Sequence, residues 1–316
     1  MKTVFMFAGQ GSQNVGMGAD FYENSEEYKT LVDSNPDYQA YQKLMSDGPI
    51  EELSKTENTQ PCMSLFATGV VAELKKKGIT PDAACGLSLG EYGALYVAGV
   101  IGADEYIKLT AFRGNAMMKA AAGMECSMSA IIGMEPDVVK AACDTVMKEN
   151  EVNGSPDFVT VANYNCPGQY AICGDEAAVS KVEAILKEKG AKRMVRVNVS
   201  GPFHTKYMQP AGDALKDYFE TISFEEPKIP VVANYTGEFI EAGTDVSTIK
   251  DLLVKQVQNS VQFEKTMYTL LDAGYDRFIE IGPGKTLSGF MKRALKAKGV
   301  EAEIITIANY EDLSKL

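Results

Sequence analysis

The chain has 316 residues, 45% of them hydrophobic and 23% charged, which suits one large domain with an insert, or two domains, and leaves no tract polar enough for disorder. Its 43 acidic and 31 basic side chains give a formal charge of -12, which argues against a nucleic-acid partner, because such binding needs clustered Lys and Arg to neutralise phosphates. No apolar run approaches the roughly 20 residues of a membrane span, and six cysteines with no Cys-x-x-Cys pair and one histidine speak against a metal site, so a cytoplasmic protein with buried, reduced thiols is expected.

In chain order, residues 3–7 predict a first strand, too short for a signal-peptide core and broken at once by Gly9-Gln10-Gly11. Three- and four-residue apolar spacing predicts a helix over 62–77, followed by a strand at 82–86 and helices over 89–98 and 104–122. From Ser129 the pattern changes to strand 129–132, helix 136–148, strand 158–163, strand 169–174, helix 176–189 and strand 193–198. That order is the split β-α-β unit of ferredoxin-like folds. Residues 129–198 are therefore expected to form a small domain inserted into a discontinuous large one, 1–128 with 199–316. Beyond a strand-like run at 195–199, the chain predicts a helix over 207–222, strands at 230–234 and 277–281, and a helix over 285–298. Strands alternating with helices indicate an α/β fold with a mostly parallel sheet, here α/β-hydrolase-like.

Gly86-Leu87-Ser88-Leu89-Gly90 fits the Gly-x-Ser-x-Gly pattern, which chance alone would place in about one chain in ten of this length. Its setting between a strand and a helix is what a nucleophile elbow requires; the alternative is a glycine-rich helix start with a capping serine. An elbow would expose the Ser88 hydroxyl at a helix N-terminus, where the Leu89 amide favours an oxyanion. A serine needs a base, and His204 is the one imidazole available, in a loop between a strand and a helix whose N-terminus would keep it neutral. No carboxylate is marked by position as a third member. Gly9-Gln10-Gly11-Ser12-Gln13-Asn14 lacks the third glycine of a dinucleotide loop, so the Gln10 backbone is assigned to a second oxyanion-hole amide. Gly284-Lys285-Thr286 lacks the first glycine of a phosphate loop, since Ile279 stands there, and reads as a tight strand-to-helix turn.

Taken together, 7–13, Gly86-Leu87-Ser88-Leu89-Gly90-Glu91-Tyr92, Arg113-Gly114, Phe203-His204, 256–263 and Glu280-Ile281-Gly282-Pro283-Gly284-Lys285 resemble the malonyl-CoA:acyl carrier protein transacylases over almost the whole chain. The resemblance implies Ser88 as the acylated nucleophile, His204 as base and acid, and the amides of Gln10 and Leu89 as the oxyanion hole. It implies that Arg113 clamps the free malonyl carboxylate, where otherwise it would read as a surface ion pair, and that the Gln256 carbonyl orients His204. Phe203 would crowd an α-methyl branch, Asn163 would be a wall of the cleft, and Leu87 stands where many relatives have His, as Ser260 stands for Pro and Phe263 for Trp. Malonyl-CoA and acyl carrier protein are the implied partners, their thioesters being substrates, with no metal or redox cofactor. An acidic carrier would need a basic patch, for which Lys285, Lys292, Arg293, Lys296 and Lys298, or Lys189, Lys192 and Arg193, are candidates. A polyketide-synthase acyltransferase, a serine esterase or thioesterase, and a non-enzymatic acyl-carrier-binding subunit are the alternatives.

Overall fold

Strand β1 (Thr3–Phe7) is buried at every position. Phe5 and Phe7 enter the apolar core on one side and Val4 and Met6 the core on the other, the signature of a strand covered on both faces. The computed structural model describes residues 1–197 and 201–316. The further strands are β2 (Ala83–Gly86), β3 (Cys126–Ile132), β4 (Val159–Cys166), β5 (Gln169–Asp175), β6 (Arg193–Val197), β7 (Val231–Val232), β8 (Phe239–Ile240), β9 (Val261–Gln262), β10 (Arg277–Ile281) and β11 (Glu303–Ile307). Among the described residues they form two sheets. One has the order β11-β10-β1-β2-β7-β8 and is parallel except for β7–β8. The other has the order β6-β3-β5-β4-β9, antiparallel except for β4–β9, where Asn163 faces Val261 and Tyr164 faces Gln262.

The helices Thr56–Lys76, Gly90–Val97, Ala103–Ala121, Gln209–Phe219 and Val246–Gln258 place Leu65, Leu95, Leu109, Leu215 and Leu253 in the core on the Phe5 side. Phe263–Asp272 and Thr286–Lys298 cover the Val4 side with Met267 and Met291. Helices Pro136–Asn153 and Glu176–Glu188 pack on β3, β4 and β5 in a separate core containing Ile131, Val146, Ile172 and Val182.

The expected mixed α/β architecture with a mostly parallel sheet is present, with local differences. The helix expected over 62–77 begins at Thr56, and Pro61 lies inside it. A proline usually marks the first helical turn, because it has no N–H to donate. Here Thr56, Thr59 and Gln60 are all buried against the rest of the molecule, so packing extends the helix upstream. The helix expected over 136–148 runs on to Asn153, where Gly154 closes it at φ 70°. The one expected over 207–222 divides into a 3-10 turn, Lys206–Met208, and the helix Gln209–Phe219, with Pro210 in its first turn. The runs 195–199 and 193–198 correspond to β6 up to Val197, and residues 198–200 lie outside the described part. Pairing expected over 230–234 stops at Val232, and Asn234 turns inward. Four helices between Ala19 and Leu53, the helices Val246–Gln258 and Phe263–Asp272, and strands β8, β9 and β11 had no sequence assignment. No helix of the described residues is long and apolar enough to cross a membrane.

Candidate active site

The serine turn is dictated by two close approaches. A Cβ on Gly86 would fall 2.1 Å from the Gly90 backbone, and one on Gly90 would fall 2.0 Å from the Phe7 carbonyl oxygen, so neither position admits a side chain. Between them Ser88 takes φ 53°, a left-handed conformation that costs a non-glycine residue about 1–3 kcal/mol. The helix Gly90–Val97 starts directly afterwards, with Leu89 at its cap. The loop following β1 touches this turn, since a Cβ on Gly9 would lie 2.6 Å from the Leu87 carbonyl oxygen. Gln10 is tied down by its side-chain amide, which donates to Thr56 Oγ1 at 2.9 Å. The neighbouring Gly282 approaches Ala8, and Glu280 accepts from the Leu287 and Ser288 amides, so Gly282-Pro283-Gly284 is the strand-to-helix turn expected of it.

Ser88 Oγ lies 2.7 Å from His204 Nε2, across 116 positions of sequence. The other ring nitrogen, Nδ1, is 2.9 Å from the Gln256 carbonyl oxygen. A carbonyl only accepts, so Nδ1 carries the proton and Nε2 presents its lone pair to the hydroxyl. His204 is 4% exposed and also left-handed, at φ 59°. Burial, and then the nearby Arg113 charge, lower its pKa from 6.5 to about 4. The neutral state thus has these causes rather than the helix N-terminus expected from sequence.

Arg113 projects from the helix Ala103–Ala121 and is fully buried. Its close seat depends on Gly114, where a Cβ would meet the Thr56 carbonyl oxygen at 2.8 Å. The guanidinium donates to Gln60 Oε1 at 2.9 Å, Gln256 Oε1 at 3.0 Å and Ser88 Oγ at 3.2 Å, and stands 5.3 Å from the centre of the Tyr92 ring. Among the described residues Nε has no partner, and burial lowers the Arg113 pKa. A buried cation held by neutral acceptors is suited to receive a carboxylate.

These groups open into one cleft of about 360 Å³, whose lining includes Gln10, Leu87, Ser88, Leu89, Arg113, Asn163, Phe203 and His204. Gln256 stands behind it, its carbonyl on His204 and its side chain on Arg113. Every residue assigned from the sequence thus comes to this place. Ser260 and Phe263 do not line it; Ser260 donates to the Val161 carbonyl, and Phe263 packs against Phe290. Three supporting residues were missed, Gln60 in the lining of the cleft and Glu91 and Asn234 behind it. Gln60 supports Arg113, while Glu91 and Asn234 form a buried polar knot under the serine. Glu91 follows the serine motif directly, so its position was a usable signal; Asn234 carried none. The six cysteines are unpaired, and burial is the first cause raising each thiol. Among the described residues no group of three or more His, Cys, Asp or Glu is gathered to hold a metal ion.

A strained serine paired with a buried imidazole, in an α/β fold matched over residues 4–312 by the model for the acyl transferase domain, defines an acyltransferase. A malonyl CoA-acyl carrier protein transacylase of Bacillus subtilis is 38% identical over 295 residues, covering 92% of this chain and 90% of the relative. The crystal structure of an acyl carrier protein S-malonyltransferase from Vibrio cholerae superimposes with a TM-score of 0.90 at 34% identity, over 100% of this chain and 99% of that one. A malonyl-transacylase solved in complex with its type II polyketide-synthase acyl-carrier protein gives a TM-score of 0.90 at 31% identity, over 100% and 98%. The chain belongs to the malonyl-CoA:acyl carrier protein transacylase family.

Proposed function

We propose that this enzyme moves a malonyl group from malonyl-CoA to the phosphopantetheine thiol of acyl carrier protein, for fatty acid biosynthesis, through a malonyl ester on Ser88. The observation that carries the reading is the 2.7 Å contact between Ser88 Oγ and an imidazole kept neutral by burial. Ser88 Oγ attacks the thioester carbonyl carbon while its proton passes to His204 Nε2. The oxyanion is held by the amides of Gln10 and Leu89. When the intermediate collapses, the carbon–sulfur bond breaks and His204 returns the proton to the departing coenzyme A sulfur. The phosphopantetheine thiol then gives its proton to His204, attacks the ester, and releases Ser88 with its proton restored. No metal or redox group enters this sequence. A cytoplasmic setting fits six unpaired cysteines.

Arg113 takes the free carboxylate of the malonyl group, and the Gln256 carbonyl stabilises the imidazolium formed in each half-reaction. Leu87 and Asn163 act as walls, and the Phe203 ring disfavours an α-methyl branch by about 1–3 kcal/mol. The same reading treats 1–128 with 199–316 as an α/β-hydrolase-like catalytic domain and 129–198 as a ferredoxin-like insert. In support, the order β6-β3-β5-β4 is antiparallel throughout and carries two helices on its own core. The basic candidates, Lys189, Lys192, Arg193, Lys285, Lys292, Arg293, Lys296 and Lys298, are all exposed, although Lys298 already pairs with Asp272.

A polyketide carrier is the second reading, favoured by the similarity to the transacylase solved with a type II polyketide carrier protein. An esterase is disfavoured by the buried Arg113 beside the serine. Intact-mass measurement after incubation with malonyl-CoA tests the proposal. One malonyl adduct is expected on the parent and none on Ser88→Ala; an adduct persisting on Ser88→Ala rejects this nucleophile.

A further inference from the structure

The elbow serine is held by more than its own turn. Ser88 N–H donates to Asn234 Oδ1 at 2.6 Å, and Asn234 Nδ2 donates to the Gly86 carbonyl at 2.7 Å. One planar amide thus spans the elbow from Gly86 to Ser88. The backbone of Asn234 is itself fixed, its N–H donating to Glu91 Oε2 at 3.2 Å and its carbonyl accepting from the Gln262 amide at 2.7 Å. On the far side of the serine, Gln256 Nε2 donates to the Ser88 carbonyl at 2.7 Å and to the same Glu91 oxygen at 2.9 Å. Asn234, Gln256 and Glu91 are all fully buried.

We propose that Asn234, anchored by the Glu91 carboxylate, is a positioning residue for acyl transfer: its side-chain amide holds Ser88 in the left-handed conformation that points Oγ at His204. The proposal rests on Ser88 being the acylated residue. A left-handed serine relaxes unless its peptide groups are restrained from outside. Asn234 restrains the N–H and Gln256 the carbonyl, both braced on Glu91. Because the Ser88 N–H is committed to Asn234, it does not serve as an oxyanion donor, which leaves that task to the amides of Gln10 and Leu89. Burial raises the Glu91 pKa to about 7, as suits a carboxyl held by neutral donors in the interior.

The test compares Asn234→Ala and Asn234→Asp with the parent, in full-length protein whose folded fraction is measured by circular dichroism. Asn234→Ala removes both bonds and is expected to lower kcat by about tenfold to a hundredfold while KM for malonyl-CoA, set by Arg113, stays within about threefold. Asn234→Asp keeps an acceptor for the Ser88 N–H and is expected to stay within about threefold of the parent kcat with a lowered Tm. A parent-like kcat in folded Asn234→Ala overturns the proposal, as does an equal kcat loss in both variants. Should Asn234→Ala yield no folded protein, Asn234→Asp decides: a folded variant slowed more than about tenfold rejects the role. Ser88→Ala is run beside them. Acyl label on Ser88→Ala defeats the nucleophile assignment itself, whereas label lost there with Asn234→Ala unimpaired defeats the role of Asn234 alone.

Discussion

Lowering the pH from 7.5 to 5.5 separates a buried neutral base from an ordinary one. An unperturbed imidazole, with a pKa near 6.5, would be neutral in only about one molecule in ten at pH 5.5, and a reaction needing it neutral would slow about tenfold. His204, held at about 4 by burial and by Arg113, remains more than about nine-tenths neutral at that pH. The rate of Ser88 acylation at saturating malonyl-CoA, followed by rapid quench and intact mass, should therefore change less than about twofold between pH 7.5 and 5.5. Glu91 protonates across the same interval, since its pKa is raised to about 7. Its lost charge leaves Arg113 less compensated, so KM for malonyl-CoA should fall at pH 5.5. A tenfold fall in the saturated rate by pH 5.5 would refute the burial argument for His204.

Folding stability should carry the signature of the same two groups. His204 has a depressed pKa in the folded state, so its contribution is complete above pH 6.5 and is lost as pH falls toward 4. Glu91 has a raised one, so its contribution is complete below pH 4.5 and is lost as pH rises through 7. The two slopes oppose between 4.5 and 6.5, each on the order of 3 kcal/mol in full. Glu91→Gln should thus leave urea stability rising with pH through this window; a falling profile contradicts the assignment. Arg113→Ala should reduce kcat/KM for malonyl-CoA by about 10²–10³ and spare acetyl-CoA, because a charge-assisted pair is lost for one substrate only; equal losses would remove the carboxylate role. Gly90→Ala, whose new Cβ would meet the Phe7 carbonyl oxygen at 2.0 Å, should cost about 3 kcal/mol or more and lower Tm, and an unchanged Tm would mean the turn can yield. Lys292→Glu with Arg293→Glu should raise KM for carrier protein severalfold and leave KM for malonyl-CoA alone; unchanged kinetics would discard that docking face.

Much of the framework was legible because its causes are local. The apolar run at Thr3–Phe7, the glycines flanking Ser88 and the periodicity of the helix Ala103–Ala121 each depend on neighbours within a few residues. Even the meeting of Ser88 with His204 could be anticipated, since a nucleophile needs a base and the chain has one imidazole. What escaped detection depends on distant partners. Asn234 reads as the end of a short strand, and its amide acquires meaning only from Gly86 and Ser88, 146 or more positions earlier. Likewise the helix Thr56–Lys76 passes through Pro61 because tertiary burial outweighs a local stop signal. The depressed pKa of His204 arises from enclosure, which no nearby residue encodes.

Strand β9 completes the five-stranded sheet from far downstream, by pairing Val261 and Gln262 with β4. The span 126–197 therefore leaves β4 with a bare row of amides and carbonyls wherever β9 is removed, an edge that invites another chain. Expressed by itself, that span should self-associate. In the intact molecule the two walls of the cleft are stitched together at that seam, and Gln262 N–H, bonded to the Asn234 carbonyl, carries the stitch to the floor beneath the serine.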